Sequence, residues 1–215
     1  MCWSEPADLI MGSVIAGIGL VGVGVSRDRH DVPLAALPVL LGAHQLIESR
    51  IWHASAGPGS VLHGTAVTLW TLIAFVVLPL FVPAAMLYAE RQRNRVQWFA
   101  AVCGVPVAVL MTVAVSRGAQ ATDHGHVLTY GAGDGVRLLP VALGLYLIAT
   151  CLPFLASPEP TMRELGIGLV IGAVAATVAD VAAFASIWCA LAALVSVLIV
   201  RRTVHASRHL CPARM

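Results

Sequence analysis

The chain contains no lysine. That excludes a retinal Schiff base and any other chemistry built on a lysine amine. Charge of either sign is scarce: 11% of the 215 residues are charged and 59% are hydrophobic, where a soluble domain carries roughly 25% charged residues. The deficit excludes a water-soluble globule and points to an integral membrane protein. A net charge of +2 gives no basis for a nucleic-acid partner. The five cysteines form no CxxC spacing, so neither a metal ribbon nor a disulfide framework is expected. Cys103 and Cys151 sit in mid-run and read as small packing residues. No acidic cluster lies within an apolar run, and DRHD at 28–31 is too sparse to hold the magnesium that ionising a diphosphate requires. No internal repeat is visible, which removes support for an inverted-repeat transporter. The start, MCWSEPADLIMG, lacks the basic residues of a signal peptide. It reads as a retained first helix with a short polar lead.

A helix needs about 20 apolar residues to cross the hydrocarbon core. Seven segments qualify: 8–26, 34–54, 64–88, 96–116, 136–156, 163–180 and 183–200. The last two come from one apolar stretch broken only by Asp180, where a tight turn is expected. The arginines fall unevenly between alternate connections. One set holds Arg27, Arg29, Arg91, Arg93, Arg95, Arg163, Arg201, Arg202, Arg208 and Arg214, whereas the other holds Arg117 and Arg137, with Arg50 inside the second span. The positive-inside rule then puts the N-terminus outside and the C-terminus in the cytoplasm. The expected fold is an all-α bundle of seven transmembrane helices in the cell membrane, residues 1–200, followed by a basic cytoplasmic tail, 201–215. Pro79, Pro83, Pro106 and Pro153 fall inside spans, where proline kinks are tolerated. The long outer connection, RGAQATDHGHVLTYGAGDG from Arg117, has turn glycines around an alternating run and predicts a small hairpin or lid.

Against this background the stretch HQLIESRIW, 44–52, stands out. His44, Glu48 and Trp52 follow i, i+4, i+8 spacing and share one helix face, with Gln45 on the adjoining one. Lipid cannot accept that stripe, so it faces the bundle interior. Glu48 and Asp180 are the carboxylates flanked on both sides by apolar membrane sequence. Two bland alternatives stay open: an intramembrane Glu and His that simply lock helices together, and an Asp180 that caps a turn. His53, His63, His205 and His209 read as solvated, and Trp70 and Trp98 as belt or lipid-facing residues.

Three blocks together, MCWS, PLAALPVLLGAHQLIESRIW (33–52) and FASIWCALAALVSVLI (184–199), resemble a family of small bacterial seven-span membrane proteins without an assigned activity. In length, span count and a buried Glu the chain also resembles the bacterial integral-membrane terpene cyclases of indole-sesquiterpenoid and prenylated diketopiperazine pathways. It is similar, too, to fungal meroterpenoid cyclases with one Glu and one Asp in a seven-span bundle. Glu48 and Asp180 match that pattern by position in the bundle, not by a motif. The resemblance implies a protonation-initiated cyclisation without cofactor or metal. Its substrate would be a hydrophobic prenylated small molecule drawn from the bilayer. Glu48 would be the acid, with His44 or Asp180 tuning it or taking the last proton. Trp3, Trp52, Tyr130 and Trp188 would stabilise the carbocations, and Gln45 and His124, the latter in the DHGH of the outer loop, would meet the polar head.

Two rivals remain. In the first, His44, Glu48 and the loop residues Asp123, His124 and His126 converge on a metal ion. The second is a proton-coupled transporter using Glu48 and Asp180 as relays, which lacks polar residues in the inner halves of the spans.

Overall fold

The structure is a computed structural model that describes residues 4–90, 94–132, 140–180 and 183–209. It is a helical bundle with a three-stranded sheet across one end. Among the described residues six helices are long and apolar enough to cross a membrane: Glu5–Val25, Val32–His53, Thr65–Ala89, Arg95–Ser116, Pro160–Ala179 and Phe184–His205. A seventh apolar helix, Pro140–Leu155, has 16 residues and falls short of the usual spanning length.

Helix α1, Glu5–Val25, starts with Pro6 in its first turn and two acids, Glu5 and Asp8, at its positive end. A single helical turn, α2 (Val32–Ala35), leads into α3, Leu37–His53. The two long helices run antiparallel in close contact because small residues line their seam. A methyl group built on Gly42 would come within 2.5 Å of the Ala16 nitrogen, and one on Gly19 within 2.6 Å of the Val39 nitrogen. In a membrane, such close approach replaces the hydrophobic effect as the source of helix association.

The third span is α4 (Thr65–Leu72), a π-helical turn (Ile73–Val77) and α5 (Leu78–Ala89). The wider turn ends just ahead of Pro79, which has no N–H to give to the preceding turn. Pro83, four residues on, likewise leaves the Pro79 carbonyl without its helical donor. That carbonyl points at Gly104 of α6 (Arg95–Ser116), so closely that any side chain at 104 would overlap it. Asn94 caps α6, its Oδ1 accepting from the Gln97 amide at 2.8 Å.

The expected hairpin is present: β2, Ala119–Asp123, pairs with β3, Leu128–Ala132, in the register Asp123↔Leu128 to Ala119↔Ala132. Gly125, at φ 85°, makes its turn. The sequence did not announce the third strand, β1 (Val61–Leu62), which pairs with β2. Two residues carry no detectable alternation. The chain closes with α7 (Pro140–Leu155), α8 (Pro160–Ala179), α9 (Phe184–Val195) and α10 (Val197–His209). The break expected at Asp180 is there: α8 stops at Ala179 and α9 starts at Phe184.

The end opposite the sheet is held by charge. Arg202 of α10 donates to Asp31 at 2.8 Å and to Glu159 at 2.5 Å, tying the connections α1–α2 and α7–α8 to the last helix. The first residues assigned to a cytoplasmic tail therefore continue the last helix and pack on the bundle. Partial burial makes these bonds stronger than an exposed pair would be.

Gly104→Ala is expected to lower the detergent-solubilised unfolding midpoint. A forced methyl in a packed seam costs about 1–3 kcal/mol, and here the obstacle is backbone. A midpoint unchanged from the parent would contradict the Pro79–Gly104 contact.

Candidate functional site

The sheet end of the bundle encloses a polar cluster centred on Glu48. Its side chain, 1% exposed, has no cationic partner among the described residues. Instead, three uncharged donors from three segments converge on it. The Ser186 hydroxyl of α9 donates at 2.5 Å, the Trp70 indole N–H of α4 at 3.2 Å and the Tyr130 hydroxyl of β3 at 3.3 Å. Burial and the nearby Glu48 and Asp8 carboxyls push the Tyr130 phenol well above its ordinary pKa. It therefore stays a donor throughout the neutral range. Cys189, one turn on from Ser186, faces the same carboxyl.

Trp70 is the wall of the site. Its ring stacks on Tyr130 with centroids 3.4 Å apart and planes 5° apart, and His44 lies against it at 4.5 Å. His44 Nε2 sits 3.1 Å from the Trp70 carbonyl. A carbonyl oxygen only accepts, so Nε2 carries the hydrogen. In the neutral ring that leaves Nδ1 as the basic nitrogen, and it is buried without a partner. Gln45, fully buried beside it, has neither amide atom hydrogen-bonded. Buried polar atoms are nearly always paired, so these orphans mark a place where a bound molecule or water completes the structure.

A second carboxyl belongs to the cluster. Asp8 of α1 is 2% exposed and lies within electrostatic range of Glu48. The glycine seam brings α1 that close. The Trp52 indole lies against Asp8 without a hydrogen bond of normal geometry. One turn earlier, Glu5 Oε1 meets His53 Nδ1 at 3.0 Å on the exposed rim.

The structure thus gathers His44, Gln45, Glu48, Trp52 and Tyr130. Other expected site residues lie elsewhere. Asp180 ends α8, where its Oδ1 accepts from the Ala183 amide at 3.4 Å, and the carboxyl beside Glu48 is Asp8 instead. Trp188 points away, donating to the Leu169 carbonyl at 3.2 Å. It still joins the site through rings, since Tyr130, Trp70, Phe75, Tyr146 and Trp188 touch in series. His124 is exposed in the hairpin turn, 3.1 Å from the Thr129 hydroxyl. Asp123 is buried and holds the 55–60 loop through Ser55 and its own turn through the Gly125 amide. Among the described residues no three His, Cys, Asp or Glu side chains gather as a metal site requires. The convergence of His44 and Glu48 with the loop histidines therefore does not occur. Trp3 lies outside the described residues.

Three participants escaped the sequence reading. Trp70 is fully buried, not in the lipid-facing belt, because its N–H has a carboxyl to satisfy. Asp8 was read as part of a polar lead, and Ser186 carries no signal of its own in an apolar run. Two apolar spaces lie apart from Glu48. One is an internal void of about 30 Å³ bordered by Leu41, Thr150 and Trp188, and the other a groove of about 450 Å³ between α7 and α8.

A double-mutant cycle tests the central contact. Ser186→Ala and Glu48→Gln are each expected to lower stability, with a coupling of about 0.5–3 kcal/mol between them. Strict additivity would mean that the hydroxyl does not serve Glu48.

No curated protein and no solved structure matches the chain. A family model described as a family of unknown function, DUF6629, matches residues 1–213. Nearly the whole length, both halves of the polar cluster included, is covered by that match, and the chain belongs to the DUF6629 family.

Proposed function

We propose that this protein is a membrane-embedded acid–base enzyme that cyclises the prenyl chain of a hydrophobic small molecule, with Glu48 as the proton donor. One observation carries the reading: a carboxyl enclosed by aromatic rings and neutral donors, without a cation, beside a histidine whose basic nitrogen is unpartnered. A carboxylic acid in dry surroundings keeps its proton until a stronger demand removes it. In the proposed step the Glu48 O–H adds its proton to a terminal alkene. The resulting tertiary cation is attacked by the next double bond, forming a ring C–C bond. His44 Nδ1 removes a proton from the final cation, so the product is an isomer of the substrate. The free Gln45 amide suits a polar head with both a donor and an acceptor.

The arrangement in the membrane belongs to the same proposal. Counting α7, the bundle has seven spans, with the N-terminus and sheet outside and the C-terminus in the cytoplasm. The arginine asymmetry supports this, since Arg95, Arg163 and Arg202 lie at the end opposite the sheet. A second reading rests on a specific observation as well. Three satisfied bonds make Glu48 an adequate structural tie between α3, α4, β3 and α9 without any chemistry.

Two experiments decide. With native cysteines replaced, a cysteine at His126 should react with a membrane-impermeant maleimide in intact cells, and one at Arg163 only after lysis. The reverse pattern would invert the bundle. Membranes containing the parent are expected to convert a linear prenylated indole or diketopiperazine into a product of equal mass with fewer double bonds by NMR. Glu48→Gln should lose at least about a hundredfold in rate while remaining folded. A parent inert towards such substrates, or a Glu48→Gln variant of parental rate, would leave only the structural tie.

A further inference from the structure

The donors around Glu48 include no group that can readily replace a lost proton. Trp70, Tyr130 and Ser186 offer an indole N–H and two neutral hydroxyls. His44 makes its bond to the Trp70 carbonyl rather than to Glu48. The Glu48 side chain is sealed from water at 1% exposure. The proposed cycle leaves Glu48 ionised and its proton equivalent on His44, which makes no hydrogen bond to Glu48 through which to return it, so Glu48 must regain a proton from elsewhere.

Asp8 is the neighbour that can serve. It is itself buried, it lies within electrostatic range of Glu48 on a helix whose next turn, at Gly12, packs against Gly42 and Leu46 of α3, and it follows Glu5 by three residues on one helix face. Glu5 and His53 form an exposed pair directly above, with side-chain exposures of 43% and 69%. The groups run in one direction: an exposed His–Glu pair, a buried Asp, a buried Glu. Gly12, Gly19 and Gly42 hold the seam shut, leaving these side chains as the polar column through it.

We infer that Asp8 is the residue through which Glu48 exchanges its proton with the sheet-end surface, the Glu5–His53 pair forming the mouth of the route. The inference rests on the reading of Glu48 as a proton-bearing acid, and not on which substrate it protonates. The step balances: Asp8 passes its proton to the Glu48 carboxylate, and the Asp8 carboxylate regains one from water by way of Glu5 and His53. Other titratable groups facing the two carboxyls are His44 on α3, Tyr130 on β3 and Cys189 on α9. His44 and Cys189 are buried; Tyr130 is only partly so, but its phenol, held well above its ordinary pKa, gives up a proton far less readily than a carboxyl does.

The test needs no substrate. The full-length protein in lipid nanodiscs is followed by infrared spectroscopy as water is exchanged for D2O. The carboxylic-acid band lost in Glu48→Gln reports Glu48. Asp8→Asn should slow deuteration of that band by about a hundredfold or more, the scale on which removing a proton-transfer group acts. Asp8→Glu should restore it, a rescue that a packing role would not produce. The exposed double variant Glu5→Gln, His53→Gln leaves the core intact and should slow exchange in the same sense, which keeps the test available if Asp8→Asn fails to fold. Parental exchange in a folded Asp8→Asn, or in the double variant, overturns the route. So does a parent with no protonated Glu48 band. A parent that exchanges through Asp8 but cyclises no prenyl substrate supports the route while removing the cyclase.

Discussion

A carboxyl taken into hydrocarbon must be given partners or remain neutral, and much of this structure follows from meeting that demand at Glu48. The cost of an unmet polar group inside a membrane is several kcal/mol. Here the bonds come from α4, β3 and α9, segments far apart in sequence. The three-stranded sheet acquires a structural reason in consequence. By pairing with β2, strand β3 is held over the bundle end, where Tyr130 can stack on Trp70 and reach the carboxyl.

Helix spacing makes the second carboxyl possible. Without Gly12, Gly19 and Gly42, α1 would stand farther from α3, and Asp8 farther from Glu48. A comparable economy operates at α5 and α6, where a carbonyl released by Pro83 is accommodated by the bare Cα of Gly104. Such Cα–H···O contacts are individually weak, but they demand glycine. At the opposite end, Arg202 joins two loops through Asp31 and Glu159. The protein therefore places its permanent ion pairs at one end and its uncompensated carboxyls at the other.

Six of the seven expected spans were legible because apolar run length tracks the length a membrane-crossing helix needs, and the hairpin because glycines bracketed an alternating segment. The inward face of α3 was legible for the same reason: His44, Glu48 and Trp52 recur every four residues. What was hidden is what tertiary contact decides. Trp70 resembles any belt tryptophan until its N–H is seen on Glu48. Asp8 sits so near the start of its helix that depth cannot be judged from composition, whereas Asp180, deep by sequence, turns out to cap a helix end. Ser186 is one small hydroxyl in an apolar run, and only the fold gives it a partner.

The account depends on Glu48 holding a proton in the resting protein. Carbon-13 NMR of the glutamate-labelled protein in lipid tests this directly, since there are five glutamates and Glu48→Gln identifies the one resonance in question. The account predicts that the Glu48 carboxyl resonates as a neutral acid at neutral pH. A Glu48 resonance indistinguishable from that of an ionised carboxylate would contradict it and leave a buried anion whose work is to hold helices together.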